Sequence, residues 1–138
     1  MDELTLLITT RDNESVFRPG SRITGEVRVD SQASWDVEML DLVLYWQTEG
    51  RGNTDQAVVQ SLAVAAKGDQ APPRIVQQFT FQMPILPITY HGRSIKICWY
   101  LSLYAKARGK VEQFFELPIT CHANPGSPEA AAMEHEAY

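Results

Sequence analysis

The sequence predicts an all-β protein, an immunoglobulin-like antiparallel β-sandwich of about seven strands. Apolar residues recur at every second position in separate segments, and these segments are rich in β-branched and aromatic residues. Clusters of glycine, proline, asparagine and aspartate separate the segments. Such alternation is typical of strands that bury one face and expose the other. Helical periodicity is nearly absent, which disfavours a parallel sheet with crossover helices.

The first four predicted strands lie in the N-terminal half of the chain. Leu4–Thr10, Arg22–Val29 and Val37–Gln47 alternate cleanly between their two faces. In the third of them, leucines and a tryptophan share one face and Tyr45 points to the other. Ala57–Ala66 is a weaker prediction, because its alanines would also tolerate a helix. A Pro-Gly pair before the second strand fits the two central positions of a type II turn.

Three further strands are predicted in the C-terminal half, at Arg74–Gln82, Ser94–Ala105 and Glu112–Cys121. Between the first two lies the connector PILPITYHG, residues 84–92, with two prolines and a glycine. Prolines cannot donate to a strand ladder, so the connector is expected to end the pairing and bend the chain. We therefore predict a structural corner with Thr89, Tyr90 and His91 exposed at its apex.

The end of the chain differs from the rest. Residues 1–122 are predicted to form the sandwich, and residues 123–138 a C-terminal tail that is either flexible or a short helix. Ser127 suits a helix N-cap and Pro128 the first helical position. A helix of that length is marginal in water unless it docks on the sandwich.

Charge and composition exclude several classes of function. The formal net charge of −5 argues against a nucleic-acid surface, which needs clustered lysine and arginine. The opening residues carry acids and no apolar core of a secretory signal, and no apolar stretch is long enough for a membrane span. We expect a cytoplasmic protein. The two cysteines, Cys98 and Cys121, are interpreted as free thiols in a reducing compartment, with one disulfide as the alternative.

Catalytic and ligand-binding motifs are not evident in the sequence. A nucleophile needs an oriented base beside it, and neighbouring strand residues such as Cys121 and His122 point to opposite sides. The cysteines and histidines lack the spacings typical of zinc sites, and no glycine-rich strand-to-helix turn suits a nucleotide. We expect no enzyme activity, no catalytic residue, no metal and no cofactor.

Two stretches resemble the arrestin family. VFRPGSRITGEVRV at residues 16–29 is similar to the family's opening, an aromatic and a Pro-Gly pair followed by a Gly-x-Val-x-Val strand. FTFQMPILPITYHGRSIKICWYLSLYA at residues 79–105 resembles its second signature, in which a Phe-x-Phe strand leads through a proline corner into an apolar strand. The likeness covers roughly residues 4–121. It implies an arrestin-like sandwich, similar to the single-domain and bacterial proteins of this type.

Three departures limit what the resemblance implies. Arrestins have two sandwiches in tandem, whereas this chain has the length for one. The first strand, LTLLITTR, lacks the lysines with which arrestins sense phosphate. The counterpart of the receptor-inserting loop, Glu49–Gln56, has no apolar tip.

Partner-binding residues are predicted on loops and on solvent-facing strand positions. Tyr45, Tyr100 and Tyr104 would form an exposed patch if their strands are neighbours, or would be covered by other segments. Trp35 is either an exposed anchor or a plug at the end of the sandwich. The full set of candidate partner-binding residues is Trp35, Arg51, Asn53, Asp55, Tyr90, His91, Tyr100 and Tyr104.

Two functions from different classes remain open at this point. The first is a non-enzymatic adaptor or scaffold module that binds other proteins, or a second copy of itself as a homodimer, through loops and sheet edges. Peripheral membrane association would then arise through a partner. The alternative is a sandwich that binds a small ligand or carbohydrate with Trp35, Tyr90 and the loop at residues 49–56.

Overall fold

The computed structural model describes residues 3–50, 55–92 and 94–123. They form a β-sandwich with a single-turn 3-10 segment at Arg11–Asn13. Its strands are β1 Thr5–Thr10, β2 Val16–Phe17, β3 Arg22–Asp30, β4 Trp35–Gly50, β5 Gln56–Ala65, β6 Gln70–Ala71, β7 Arg74–Gln82, β8 Tyr90–His91, β9 Ile95–Ala107 and β10 Gln113–Cys121. The predicted fold class is confirmed. The helix prediction at Ser127 lies outside the described residues.

All seven predicted segments are strands, and they are the seven long strands of the fold. The largest difference is β4, which is extended at both ends relative to the prediction. At its C-terminal end, Glu49 and Gly50 pair with Lys96 and Ile95 of β9. This polar segment was predicted as a loop, but pairing with the neighbouring strand makes it part of β4. The strands β2, β6 and β8 have two residues each, too few for any alternation to show in the sequence.

Two sheets make up the sandwich. The smaller sheet has the strand order β1-β3-β7, and the larger follows β2-β10-β9-β4-β5, with β6 beside β4 and β8 beside β9. The predicted antiparallel pairing holds for all of these ladders except β2 with β10, which is parallel. Parallel strands need a long connection between them, and β2 and β10 are separated along the chain by all the strands from β3 to β9.

The core lies between the two sheets and consists of the apolar faces that the sequence predicts. Its largest fully buried side chains include Ile23, Val27 and Val29 of β3, Leu40, Leu42 and Leu44 of β4, and Trp99, Leu101 and Leu103 of β9. Each set lies on one face of its strand, at alternate positions, with Gly25 between Ile23 and Val27 in β3, as expected for strands with one face in the core. Burial of these faces supplies the main stabilisation of the fold.

The Pro19-Gly20 turn forms as predicted and sets the position of the connector. Ser21 donates its N–H to the carbonyl of Arg18 at 3.1 Å, and Gly20 has a φ of +79° at the third position of the turn. The N–H of Gly20 also donates to the carbonyl of Met83 at 2.8 Å. The turn that starts β3 is therefore bonded directly to the start of the connector.

Candidate functional site

The connector between β7 and β8 is held from the inside. Met83 and Thr89, near its two ends, are buried, and the carbonyl of Pro87 between them accepts a 2.8 Å hydrogen bond from the indole N–H of Trp99. The Leu86–Pro87 peptide bond is cis. Because Trp99 is a fully buried core residue, this bond ties the connector to the centre of the sandwich.

Thr89 closes the other end of the connector against β10. Its N–H donates to the carbonyl of Cys121 at 2.9 Å, and its hydroxyl accepts the N–H of Cys121 at 2.8 Å. The expectation that Thr89 is exposed was wrong: only 3% of its surface is accessible. The reason is that its backbone and side chain together satisfy both main-chain groups of the last residue of β10.

The outer surface of the connector is apolar. Four large side chains within six consecutive residues are exposed, and we call them the connector patch: Ile85 at 66%, Leu86 at 73%, Ile88 at 41% and Tyr90 at 50%. Of these four residues, only Tyr90 was predicted from the sequence to bind a partner. The missed signal was the apolar residues of PILPI, which cannot turn inward because Met83, Pro87 and Thr89 occupy the inner positions.

Tyr90 and His91 begin the return into the larger sheet. They form β8, which pairs with Ile97 and Lys96 of β9. The ring of Tyr90 lies over Gly92, where an added Cβ atom would come within 2.5 Å of the ring. The prediction that Tyr90 is exposed is confirmed, whereas His91 is half-buried. Gly92 thus provides the space that keeps the Tyr90 ring at the edge of the connector patch.

The predicted tyrosine patch is assembled but only partly exposed. Tyr45 and Tyr100 are direct partners across β4 and β9, and their rings stack with centroids 5.3 Å apart. Tyr104 packs against Phe114 of β10 with centroids 6.0 Å apart. The strands are neighbours, which is the condition on which the patch depended. For Tyr45 the alternative of a covered side chain holds, since it is 3% accessible beneath its aromatic and carboxylate neighbours.

Carboxylates accept the hydroxyl hydrogen bonds of these tyrosines. Tyr45 donates to Glu116 and Tyr100 donates to Glu49, which also accepts a 2.8 Å bond from the amide of Gln47. Burial, followed by the bond to a carboxylate, raises the pKa of both tyrosines above the ordinary value. The bonds from Tyr100 and Gln47 lower the pKa of Glu49. This arrangement stabilises the outer face of the sheet and leaves no tyrosinate at neutral pH.

The lowered pKa of Glu49 leads to a test at acidic pH. The contribution of Glu49 to the free energy of unfolding is complete above its ordinary pKa of 4.5. It is lost as the pH falls through the lower pKa that Glu49 has in the folded chain. Glu49→Gln should therefore make the stability less sensitive to acid, as measured by urea unfolding at neutral and acidic pH. The matched control is Glu112→Gln in the exposed turn between β9 and β10. Equal acid sensitivity in both variants would contradict the role of the Tyr100–Glu49 bond.

Trp35 is a plug and not an exposed anchor. It is the first residue of β4, pairs with Ala71 and is 7% accessible within the core cluster. Its indole N–H is buried without a hydrogen-bond partner in the described part of the chain. The polar segment SQASWD predicted a loop, but the pairing with β6 extends β4 to include the tryptophan.

The predicted loop residues are divided by the boundary of the described structure. Arg51 and Asn53 lie outside the described residues. Asp55 is exposed, and its main chain closes the turn between β4 and β5: its N–H donates to the hydroxyl of Thr48 and its carbonyl accepts the N–H of Thr48, both at 2.8 Å. The described part of this loop therefore has a structural role through Asp55.

The residues proposed for a carbohydrate site do not converge. Tyr90 pairs with Ile97 near the start of β9, whereas Val37, two residues after Trp35, pairs with Ala107 at the end of β9. Ten residues of extended strand separate these positions, which is about 33 Å at the usual rise per residue. Trp35 is also buried. Trp35 and Tyr90 therefore cannot contact the same small ligand.

Both cysteines are buried free thiols, as predicted. Burial raises the pKa of Cys121 to about 11 and also raises the pKa of Cys98. Reactive thiols have lowered pKa values, so both are protonated and poorly nucleophilic at neutral pH. Within residues 3–50, 55–92 and 94–123, no three histidine, cysteine or acidic side chains are grouped to hold a metal ion.

Comparisons with known proteins identify the fold. No family model matches the sequence, and no curated protein matches it. Among solved structures, the chain is similar to Spo0M, a sporulation control protein from Bacillus subtilis, with a TM-score of 0.68 and 19% identity. The fold is arrestin-like. The match covers 88% of this chain and 50% of Spo0M, so the chain spans about half the length of that structure.

The arrestin-like fold agrees with the resemblance found in the sequence, and it also places the connector. The second of the two resembling stretches contains β7, the connector patch and β9. The described residues include no helix that is long and apolar enough to cross a membrane.

Proposed function

We propose that this arrestin-like chain is a non-enzymatic protein-interaction module of the adaptor or scaffold type, and that the connector patch contacts its protein partner. The observation that carries the proposal is the exposure of four large apolar side chains, between 41% and 73%, within six consecutive residues. Isolated exposed apolar residues are common on protein surfaces, but a group of them marks an interaction site.

The composition around the patch supports a protein partner. Residues 75–92 contain no lysine, arginine, aspartate or glutamate. Depletion of charge together with aromatic and aliphatic side chains is the pattern found at the centres of protein interfaces. A membrane surface or a nucleic acid would instead favour a cluster of lysine and arginine, whereas the patch segment contains none and only Arg93 and Lys96 follow it closely in the sequence. The partner surface is accordingly an uncharged apolar cleft.

The rigidity of the connector is a second support. Hydrogen bonds from Trp99 to Pro87, from Thr89 to Cys121 and from Gly20 to Met83 fix it at three points. Ordering a loop on binding reduces affinity, so a patch that is already fixed retains more of its burial energy. Arrestin-like folds are generally non-enzymatic, and Spo0M is a sporulation control protein, which is consistent with a regulatory adaptor. We place the module in the cytoplasm.

The proposal is tested by comparing the proteins retained by three forms of the chain from extracts of its source cell. Leu86→Asp with Ile88→Asp puts two charges into the connector patch and should abolish retention of a specific partner, because burying an unpaired carboxylate is costly. Val111→Asp, at an 84% exposed position in the turn between β9 and β10, is the matched control. Mass spectrometry quantifies the retained proteins.

A partner that is bound by the wild type and by Val111→Asp, and that is lost in the connector variant, supports the proposal. If the partner set of the connector variant equals that of the wild type, the connector patch is not the contact surface. A homodimer that is lost only in the connector variant, measured by light scattering, would make a second copy of the chain the partner.

A further inference from the structure

Two sheet edges with almost no charged residues lie side by side on one flank of the sandwich. β7 is the last strand of the smaller sheet and β5 the last strand of the larger, so each has a single long neighbour among the described strands. Neither segment 56–66 nor segment 75–82 contains a charged residue or a proline. Proteins usually protect exposed edges with charged residues, proline or short strands. β5 and β7 have 10 and 9 residues, no proline and a single charged residue, Arg74 at the start of β7, which is paired with Asp30.

One side chain already imitates a neighbouring strand at the edge of β7. The amide of Gln60 in β5 accepts the N–H of Gln82 at 3.0 Å and donates to the carbonyl of Gln82 at 3.1 Å. These are the two hydrogen bonds that a residue of an added antiparallel strand would make. The main-chain groups of Gln82 therefore point away from β3 and toward the open edge.

The direction of Gln82 determines the direction of the rest of β7. N–H and C=O groups of one strand residue point to the same edge, and those of the next residue point to the opposite edge. Met83 agrees with this alternation, because it exchanges main-chain bonds with Ser21 and Gly20 on the β3 side. Thr80, Gln78 and Val76 consequently present their main-chain groups to the open edge. The carbonyl of Gln78 already accepts the side-chain amide of Gln77 at 3.0 Å, and an added strand would displace that amide.

The two sheets also leave a gap beside this edge. Three strands of the smaller sheet face five of the larger, and the inward-facing residues of β5, Gln60, Leu62 and Val64, are only partly buried. Gln77 of β7 lies on the same face of the strand as Phe79, the face toward the other sheet, and is nevertheless exposed. A cleft of about 520 Å³ lies between β5 and β7, and a second of about 460 Å³ lies between the end of β5, β6 and the start of β7. The gap lies where a fourth strand of the smaller sheet would cover β5.

We propose that the open edge of β7 binds an extended, uncharged segment of a partner protein as a fourth strand, with alternate apolar side chains placed over Leu62 and Val64. The proposal rests on the interaction function above and names the form of the bound segment. Main-chain bonds to Val76, Gln78 and Thr80 would hold it, and Gln60 would mark the end of the site. The cleft lined by Gln60–Leu62 and Gln77–Phe81 contains no charged residue and favours an uncharged segment, because a buried charge would have no counter-ion there. Asp69 and Arg74 line the other cleft, beyond Val76.

A second copy of the chain fits this edge less well. Two-fold pairing of β7 with itself would bring the overhanging β5 strands of both copies to the same side of the pair. A single added strand meets no such obstacle, since it would occupy only the gap over the β5 strand of its own host. We therefore assign the edge to a partner segment.

The test uses a displayed library of peptides about as long as β7, selected against the full chain. Enriched peptides should alternate apolar with other residues and carry little charge. Val76→Pro removes one outward N–H, leaves the ladder with β3 intact and should weaken binding about tenfold or more, whereas the matched control Val76→Ala should have a much smaller effect. Gln78→Pro should act like Val76→Pro, and thermal unfolding verifies that both proline variants are folded.

A methylation scan of the selected peptide tests the same geometry with the unaltered protein. Methyl groups on the backbone nitrogens should abolish binding at every second position, because only alternate N–H groups of an added strand face β7. A scan without this period, peptides that bind the proline variants equally well, or a library without enriched peptides would each overturn the proposal. So would a homodimer that Val76→Pro dissociates, or competition by a peptide of residues 124–138.

The two proposals fail separately. Leu86→Asp with Ile88→Asp leaves the edge of β7 unchanged, so the selected peptides should still bind this variant with unaltered affinity. If they bind and the variant also keeps all its cellular partners, the interaction surface proposed at the connector is wrong and the strand site stands. If partners are lost in this variant and no peptide recognises the β7 edge, the strand site is wrong and the interaction surface at the connector stands.

Discussion

Replacing Gly25 by alanine is expected to destabilise the sandwich by about 3 kcal/mol, the upper part of the range for added atoms in a packed core. Gly25 lies in β3, between Thr10 of β1 and Phe79 of β7. An added Cβ would lie 2.2 Å from the carbonyl oxygen of Thr9 and 2.8 Å from the ring of Phe79. The ring fills the space that a side chain would need, and the carbonyl belongs to a paired strand and cannot withdraw.

The measurement is urea unfolding of Gly25→Ala beside Gly109→Ala. Gly109 has a φ of +75° and no atom within 4 Å of an added Cβ, so its substitution costs only the backbone strain of a left-handed residue, about 1 kcal/mol. Equal losses in the two variants would show that the smaller sheet can separate enough to admit a methyl group at position 25.

Trp99→Ala is expected to lower the free energy of unfolding by about 3–5 kcal/mol. Trp99 of β9 is fully buried, and its indole N–H donates the hydrogen bond to the carbonyl of Pro87 that holds the connector. The alanine variant leaves a cavity and an unpaired carbonyl. Trp99→Phe keeps most of the volume and removes the donor, so it should lose less stability while still releasing the connector.

Chemical denaturation and hydrogen exchange separate the two roles of this tryptophan. In Trp99→Phe, exchange should rise at residues 85–91 and remain slow in β3, because the core is filled while the connector has lost its central bond. Ile119→Val is the control, since it removes one methylene from the core and leaves every connector bond intact. If exchange at the connector does not rise, the Trp99 bond does not position the connector patch.

The site was less predictable than the fold, for reasons that particular residues show. Tyr90 was found because an aromatic residue in a proline-rich connector is conspicuous. Ile85 and Leu86 were missed, because the same apolar residues would be expected inside unless Met83 and Thr89 already occupied the inner positions. Trp35 was ambiguous, since a tryptophan between polar residues gives no indication of the two-residue strand that covers it.

The sequence by itself determined which segments are strands and which faces enter the core, because alternation at every second residue is a local property that burial on one face imposes. It also determined the lack of charge in residues 75–92. Only the tertiary structure decided that β5 and β7 are adjacent edges, that Gln60 bonds Gln82 across them, and that the tyrosine hydroxyls are held by Glu49 and Glu116. These features join residues that are far apart in the chain. Which of them come together depends on the strand order of both sheets, and no single strand carries that information.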